Sequence, residues 1–234
     1  MRLDESFLQI RLNGLEFVSR SWSNPRHYDL SSIKKSRCQF ILGLRIYSQF
    51  LFLGGRVEYC YLYPRTSLFR LPDKLPVEAL VASGCAAPTM VHAAEKADIH
   101  VGHTVVVQGR GPVGLLGLVV ARESGAGKVI VMGGPKERLQ MAQQWGADAT
   151  MDISEIKSPK DRIQFVKELS LSKNGADVVL ECSGVPSAFA EGAQFARDGG
   201  KYIIVGQFMD AGPAENFHPF WITFKELTVK GSYS

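Results

Sequence analysis

Residues 105–117 read VVVQGRGPVGLLG, and no other stretch of the chain narrows the possible folds as far. Three β-favouring valines (Val105, Val106, Val107) run into Gly109-x-Gly111-x-x-Gly114, and an apolar helical pattern follows at once. A strand, a glycine turn and a helix N-terminus in that order form the phosphate cradle of a dinucleotide-binding βαβ unit. Gly109 lets the chain turn tightly, Gly111 has no Cβ to block a pyrophosphate, and Gly114 lets the helix pack closely on the strand. The helix opening at Pro112, with Val113 and Gly114 in its first turn, offers unpaired N–H groups and a partial positive charge to the diphosphate. A bare GxGxxG arises often by chance, and the competing reading is a glycine-rich structural turn. The strand before it and the helix after it favour the dinucleotide.

The rest of the chain extends that unit. From Pro76 onward strand and helix signals alternate, as in a parallel sheet covered on both faces. The pattern predicts a helix over 77–97, kinked at Pro88, then strands at 104–108, 129–132, 149–151, 177–181, 202–205 and 227–230. Helices are expected over 112–124, from Pro135 to near Gly146, from the Ser158-Pro159 cap to 169, and over 186–196, with a turn at Gly199-Gly200. Apolar residues around nearly the whole 112–124 helix predict that it is buried. The expected fold class is α/β: a doubly wound parallel-sheet domain over 77–234. Before it, residues 54–76 have β-character: VEYCYLY reads as a strand ending at Pro64, and Leu71-Pro72-Asp73 as a turn. Residues 1–53 show no clear period and are assigned no element.

Charge and cysteines exclude several classes of function. Residues 1–53 hold eight Lys/Arg against four Asp/Glu, so the formal charge of +4 resides there and the remainder is balanced. No basic stripe crosses the folded part, which argues against nucleic acid as a partner. The four cysteines (Cys38, Cys60, Cys85, Cys182) include no CxxC pair, so neither a structural zinc spacing nor a disulfide framework is present, and a reducing cytoplasm is expected. The most apolar stretch, 39–55, is broken by Arg45, Ser48 and Gln49 and is too short and polar to span a bilayer. Acids at Asp4, Glu5 and Glu16, and the lack of an apolar signal core, argue against a leader peptide.

Six blocks in collinear order resemble the medium-chain dehydrogenase/reductase superfamily, and in particular its zinc-type alcohol dehydrogenase group. They are GGRVEYCYLYP, LPDKLPVEALVASGCAAPTMVHAAEKA, VGHTVVVQGRGPVGLLG, GADVVLECSG, GGKYIIVGQF and KELTVKGS, covering residues 54–234. The resemblance implies a GroES-like β-rich catalytic lobe and a Rossmann lobe with NAD(P) between them, passing a hydride to or from an alcohol or carbonyl carbon. It also implies a catalytic zinc. The first zinc cysteine, the Gly-His-Glu block and the four-cysteine zinc loop of the group are not found: residues 1–53 hold only Cys38 and His27, in a different setting. The chain is therefore expected to be a truncated member. In it, residues 54–76 are a small remnant of the catalytic lobe on the N-terminal side of the Rossmann domain.

The candidate sites follow from the motifs and the resemblance together. Cys85 falls where the group places a third zinc ligand; the competing reading is a small cysteine on a helix, and a lone ligand cannot hold a metal. By the same resemblance Thr89 lies against the nicotinamide amide, the alternative being a hydroxyl bonded to its own i−4 carbonyl. His92 is read as structural or cofactor-side rather than as a ligand. Cys182, Ser183 and Gly184 after one strand, and Val205, Gly206 and Gln207 after the next, stand at carboxyl strand ends, where open α/β sheets bind ligands. An NAD-specific domain has Asp or Glu at the end of its second strand, but here the slot reads Met132-Gly133-Gly134-Pro135-Lys136-Glu137-Arg138. Gly133 in that slot removes the acceptor for the ribose 2′-OH, and Lys136 and Arg138 offer charge to a 2′-phosphate. The cofactor is thus NAD or NADP, with the balance toward NADP.

The expected function is NAD(P)-dependent hydride transfer on a small alcohol or carbonyl substrate, impaired in this chain, with a homo-oligomer in view. Two alternatives stand beside it: a non-catalytic NAD(P)-binding module acting through a partner, and a methyltransferase with its own glycine loop. The GADVVLECSG block argues against the methyltransferase.

Overall fold

The computed structural model describes residues 7–12, 15–20, 59–62, 74, 84–214 and 216–233. The chain forms two compact units, Met1–Val81 and Ala82–Ser234. In the first, β1 (Phe7–Leu12) runs antiparallel to β2 (Leu15–Arg20), with Leu12 opposite Leu15, and β2 runs parallel to β3 (Tyr59–Leu62). The strand expected in VEYCYLY is β3. The hairpin lies in the region assigned no element, because Arg11, Glu16 and Arg20 interrupt its apolar pattern. Its signal was the Asn13-Gly14 dipeptide between two β-favouring runs, the sequence preferred in two-residue hairpin loops. The turn expected at 71–73 lies outside the described residues.

The second unit is a six-stranded all-parallel sheet. Its strands are β4 (Thr104–Gln108), β5 (Lys128–Gly133), β6 (Ala149–Asp152), β7 (Ala176–Glu181), β8 (Ala196–Ile204) and β9 (Thr228–Gly231). Their order in space is β6-β5-β4-β7-β8-β9: the chain starts in the middle, builds one half outward, then returns to build the other. The direction reverses between β4 and β7, and the crevice at that switch point is where such sheets bind ligands.

Alternation along each strand explains why the sheet is covered on both faces. Val105 and Val107 of β4, Val129 and Val131 of β5, and Val178 and Leu180 of β7 enter one core. There they meet helices α1 (Ala86–Ala97), α2 (Pro112–Glu123) and α3 (Lys136–Gln144). Val106, Ile130, Met132 and Val179 enter the other, against α4 (Pro159–Leu169) and α5 (Pro186–Phe195). The strands consequently read as continuous apolar runs. Helix α2 exposes no apolar side chain beyond Pro112, as its all-round apolar pattern predicted.

Three expectations are refined. Residues 77–83 of the region where a helix over 77–97 is expected lie outside the described residues; the described helix, α1, begins at Ala86, so Pro88 sits in its first turn, where its missing N–H removes no ladder bond, and it makes no kink there. The Gly199-Gly200 turn is a bulge inside β8: Ala176 pairs with Ala196 but Val178 with Lys201, and Gly199 takes a positive φ. A short aromatic helix, α6 (Phe220–Phe224), follows β8, where no element was expected.

Candidate cofactor-binding site

The carboxyl ends of β4, β5 and β7 open into a cleft of about 650 Å³. Gly109, Gly111, Gly133, Arg138, Cys182 and Ser183, all named from sequence, line it. The three glycines of the elbow do different work. Gly109 has φ +118° and lies so close to the next strand that a Cβ would stand 2.8 Å from the Cys182 carbonyl. Two bonds hold the elbow in place, Gly109 N to Met132 O (2.9 Å) and Cys182 N to Gln108 O (2.8 Å). A Cβ on Gly114 would run into the Gly109 carbonyl, so that glycine lets α2 reach the strand. At Gly111, the N-cap of α2, a Cβ would meet nothing within 4 Å. Gly111 is therefore not required by packing, and the space before it is open at a helix N-terminus. Intrahelical bonding starts with Leu115 N to Gly111 O (2.9 Å), which leaves the Val113 and Gly114 amides outside the helix ladder.

Arg110, between the first two glycines, was not named from sequence and is central to the site. Its side chain crosses Gly133: a Cβ there would lie 2.7 Å from Arg110 Cδ. Gly133 thus admits the arginine as well as lacking the carboxylate. Arg110 Nε is buried with no hydrogen-bond partner among the described residues. Burial pushes the guanidinium below its ordinary value, the charge of Arg138 adds to this, and Asp152 opposes it. Asp152, opposite Gly133 in the sheet, is turned to Ser154, accepting from its N (2.8 Å) and Oγ (2.6 Å). Those bonds, then the Arg110 and Lys136 charges, hold the Asp152 carboxyl below the usual range. Two guanidiniums thus converge where an NAD-specific domain would place an acid.

The remaining walls were also missed, because they come from side chains distant in sequence. Ile153 and Val185, about half exposed though apolar, flank the cleft and fit the faces of a planar base. On its far side Arg162 Nε donates to Glu191 Oε1 (2.5 Å) and Arg162 Nη1 to the carbonyls of Ile156 and Lys157, joining α4 to α5. Buried Gln108 donates to Ala188 O (3.1 Å) and accepts from Tyr202 OH (3.2 Å), tying β4, β8 and α5 together beneath the cleft.

Other sequence candidates lie away from the lining. Pro112 and Val113 begin α2, and exposed Lys136 begins α3. Gly184, Val205 and Gly206 pack loop against loop. Thr89 Oγ1 donates to Cys85 O (2.8 Å), the i−4 bond given as its alternative. Cys85 is the exposed N-cap of α1, and among the described residues no group of three or more His, Cys, Asp or Glu could hold a metal ion. The described residues therefore do not fit the zinc that the resemblance implies. They do fit a dinucleotide: an open glycine elbow, an arginine with an unpartnered buried nitrogen, and apolar walls.

Comparison with known proteins agrees. The model of the zinc-binding dehydrogenase family matches residues 112–234. A 5-exo-hydroxycamphor dehydrogenase of Pseudomonas putida is 34% identical over 180 residues, 76% of this chain and 49% of that protein. An alcohol dehydrogenase structure from Thermotoga maritima superposes with a TM-score of 0.69 at 34% identity, over 74% of this chain and 47% of the other. A zinc-binding dehydrogenase from Sinorhizobium meliloti, bound to NADP, has a TM-score of 0.63 at 32% identity, over 71% and 47%. The chain spans about half the length of the curated relatives it matches. With the strand order, the glycine elbow and the collinear match in agreement, this chain belongs to the zinc-binding dehydrogenase family of the medium-chain dehydrogenase/reductase superfamily.

Proposed function

We propose that this chain binds NAD(P)(H) across the carboxyl ends of β4–β9, with NADP(H) preferred, and serves hydride transfer on a small alcohol or carbonyl substrate. The observation that carries the reading is Gly111, a glycine that packing does not require, at the N-terminus of a buried helix facing an open cleft. The first-turn amides of α2 would hold the diphosphate, Ile153 and Val185 the adenine, and Arg110 with Arg138 the 2′-phosphate. Lys136, exposed at the start of α3, adds long-range charge. The loops at Cys182–Gly184 and Val205–Gln207 would face the nicotinamide half, with Thr89 toward its amide. When bound, the cofactor supplies the hydride donor or acceptor at its nicotinamide ring. Burial, then the charge of Glu181, pushes the Cys182 thiol far up, so it stays protonated and takes no part as a base.

In this reading residues 77–234 are the cofactor domain and 54–76 belong to the substrate lobe. The relatives' names, a hydroxycamphor dehydrogenase and an alcohol dehydrogenase, support the alcohol class. Among the described residues Cys85, which is exposed, and Cys182 are free thiols, which fits a reducing compartment such as the cytoplasm. Fluorescence titration of the full chain with NADPH and NADH tests the proposal. NADPH is expected to bind about tenfold more tightly, the scale of one charge-assisted contact. Absence of binding by either nucleotide would overturn the dinucleotide reading, and a preference for NADH would overturn the choice of NADP.

A further inference from the structure

Glu181 is the last residue of β7, fully buried, at the end of a strand whose preceding residues Val178, Val179 and Leu180 are all core. An apolar residue would suit that strand better, since a buried carboxylate without partners is strongly disfavoured. Among the described residues it makes no ion pair; backbone and hydroxyl donors satisfy it instead. Its Oε1 accepts from Ser183 N (2.8 Å), Ser183 Oγ (2.7 Å) and Gly184 N (2.9 Å), and its Oε2 from Gly206 N (3.1 Å). Its main-chain carbonyl accepts from Val205 N and Gly206 N, both at 2.9 Å. One residue thus holds the loops that leave β7 and β8. These loops touch backbone to backbone: a Cβ on Gly184 would stand 2.8 Å from Gly206 O, and one on Gly206 would collide with Gly184 N.

The placement of this knot gives it a role. The switch point lies between β4 and β7, so β7, β8 and β9 form the second mononucleotide half of the sheet. Glu181 does not line the cleft, but Cys182 and Ser183, which follow it, do. The Ser183 hydroxyl donates to Glu181 and accepts from Val185 N (3.2 Å), so its rotor is set before any ligand arrives.

We propose that Glu181 is a positioning residue: its buried carboxylate gathers donors from two loops and fixes the floor under the nicotinamide half of the cofactor. This rests on the dinucleotide reading above. Replacing the carboxylate by the isosteric amide removes its charge and turns an NH₂ group toward a backbone donor: Gly206 N keeps its bond to the Glu181 main-chain carbonyl but loses its side-chain acceptor, and the NH₂ facing it finds none, while the volume is unchanged. The adenosine half keeps its contacts to β4, β5, Ile153 and the arginines; only Val185, whose N donates to Ser183 Oγ, is joined to the knot, and by a single bond.

The test compares Glu181→Gln with wild type in binding NADPH and adenosine 2′,5′-bisphosphate, which carries only the adenosine half. Expected are an NADPH affinity lower by about tenfold and a bisphosphate affinity within about twofold, with a weaker rise in nicotinamide fluorescence on binding. Equal losses for both ligands, or no loss for NADPH, would overturn the proposal. If wild type binds neither ligand, the cofactor reading fails and the proposal with it. Should the variant not fold, hydrogen exchange in the cofactor-free wild type decides. The Ser183, Gly184 and Gly206 amides are expected to be protected, and unprotected exchange at them overturns the preset floor.

Discussion

A methyl group added at Gly111 meets nothing within 4 Å, whereas one added at Gly114 runs into the Gly109 carbonyl. The same substitution therefore has different targets at two glycines of one motif. Gly111→Ala is expected to leave the melting temperature unchanged and to weaken NADPH binding at least tenfold, because the methyl would occupy the place proposed for the pyrophosphate. Gly114→Ala is expected to lower stability by about 1–3 kcal/mol, as overpacking against rigid backbone does. Thermal melts and NADPH titrations on both variants check this; a stable Gly114→Ala protein, or full binding by Gly111→Ala, would contradict the assignment. A second prediction concerns charge. Arg110→Ala should weaken NADPH binding by about tenfold, or about 1.4 kcal/mol, while leaving NADH nearly unaffected, since the charge-assisted bond proposed to the 2′-phosphate would be lost. Equal effects on both nucleotides would place Arg110 at the diphosphate instead. The three glycines and the missing acid at Gly133 were legible in sequence because each is a local requirement on backbone or spacing. Arg110 stood in plain view within the motif, but only the fold shows its side chain crossing Gly133 toward Arg138.

Element by element, legibility followed how local the cause was. Ser158 caps α4 as its Ser-Pro signature predicted, its Oγ accepting from Asp161 N (3.4 Å). The Gly199-Gly200 pair announced a turn, but that it is a bulge inside β8 follows from pairing with β7, and no short-range pattern announced α6. Lys225, just after α6, shows such a non-local device. Nearly buried, it donates through Nζ to Gln194 O (3.2 Å) and Ala196 O at the carboxyl end of α5, the helix that walls the cleft. Burial pushes its ammonium from the ordinary 10.5 down to about 8. Between those two values the unfolded chain keeps a proton that the folded chain has released, so this residue makes stability rise with pH across that window. Half-buried Cys182 and buried Tyr202, whose protons are held more tightly when folded, act in the opposite direction. The contribution of Lys225 is therefore read as a difference: relative to Lys225→Met, wild type should gain stability between pH 8 and 10.5. Urea denaturation of both proteins below and above pH 8 measures it, and parallel curves would rule it out.

Taken whole, the Ala82–Ser234 unit is a sheet between two helical layers with its ligand crevice at the switch point, so cofactor binding should stabilise the fold that shapes the crevice. NADPH at a hundred times its dissociation constant contributes about 2.7 kcal/mol, a rise in melting temperature of roughly 5–10 °C for a domain of this size. Added zinc or a chelator is expected to change neither that shift nor the NADPH affinity, because the contacts proposed for the cofactor come from helix amides, arginines and apolar walls and not from a metal. Turnover of simple alcohols by this chain should be slow with or without zinc; brisk zinc-dependent turnover in a dehydrogenase assay would show the metal reading to be wrong. What the amino-acid order decided alone was the class of fold, the strand succession and the glycine elbow, since alternation, caps and glycine spacing act over a few residues. Only the tertiary structure decided which charges converge on the elbow, how Glu181 binds two loops into one floor, and which apolar side chains become walls. Those features join residues tens of positions apart, and it is the closing of the sheet that brings them together.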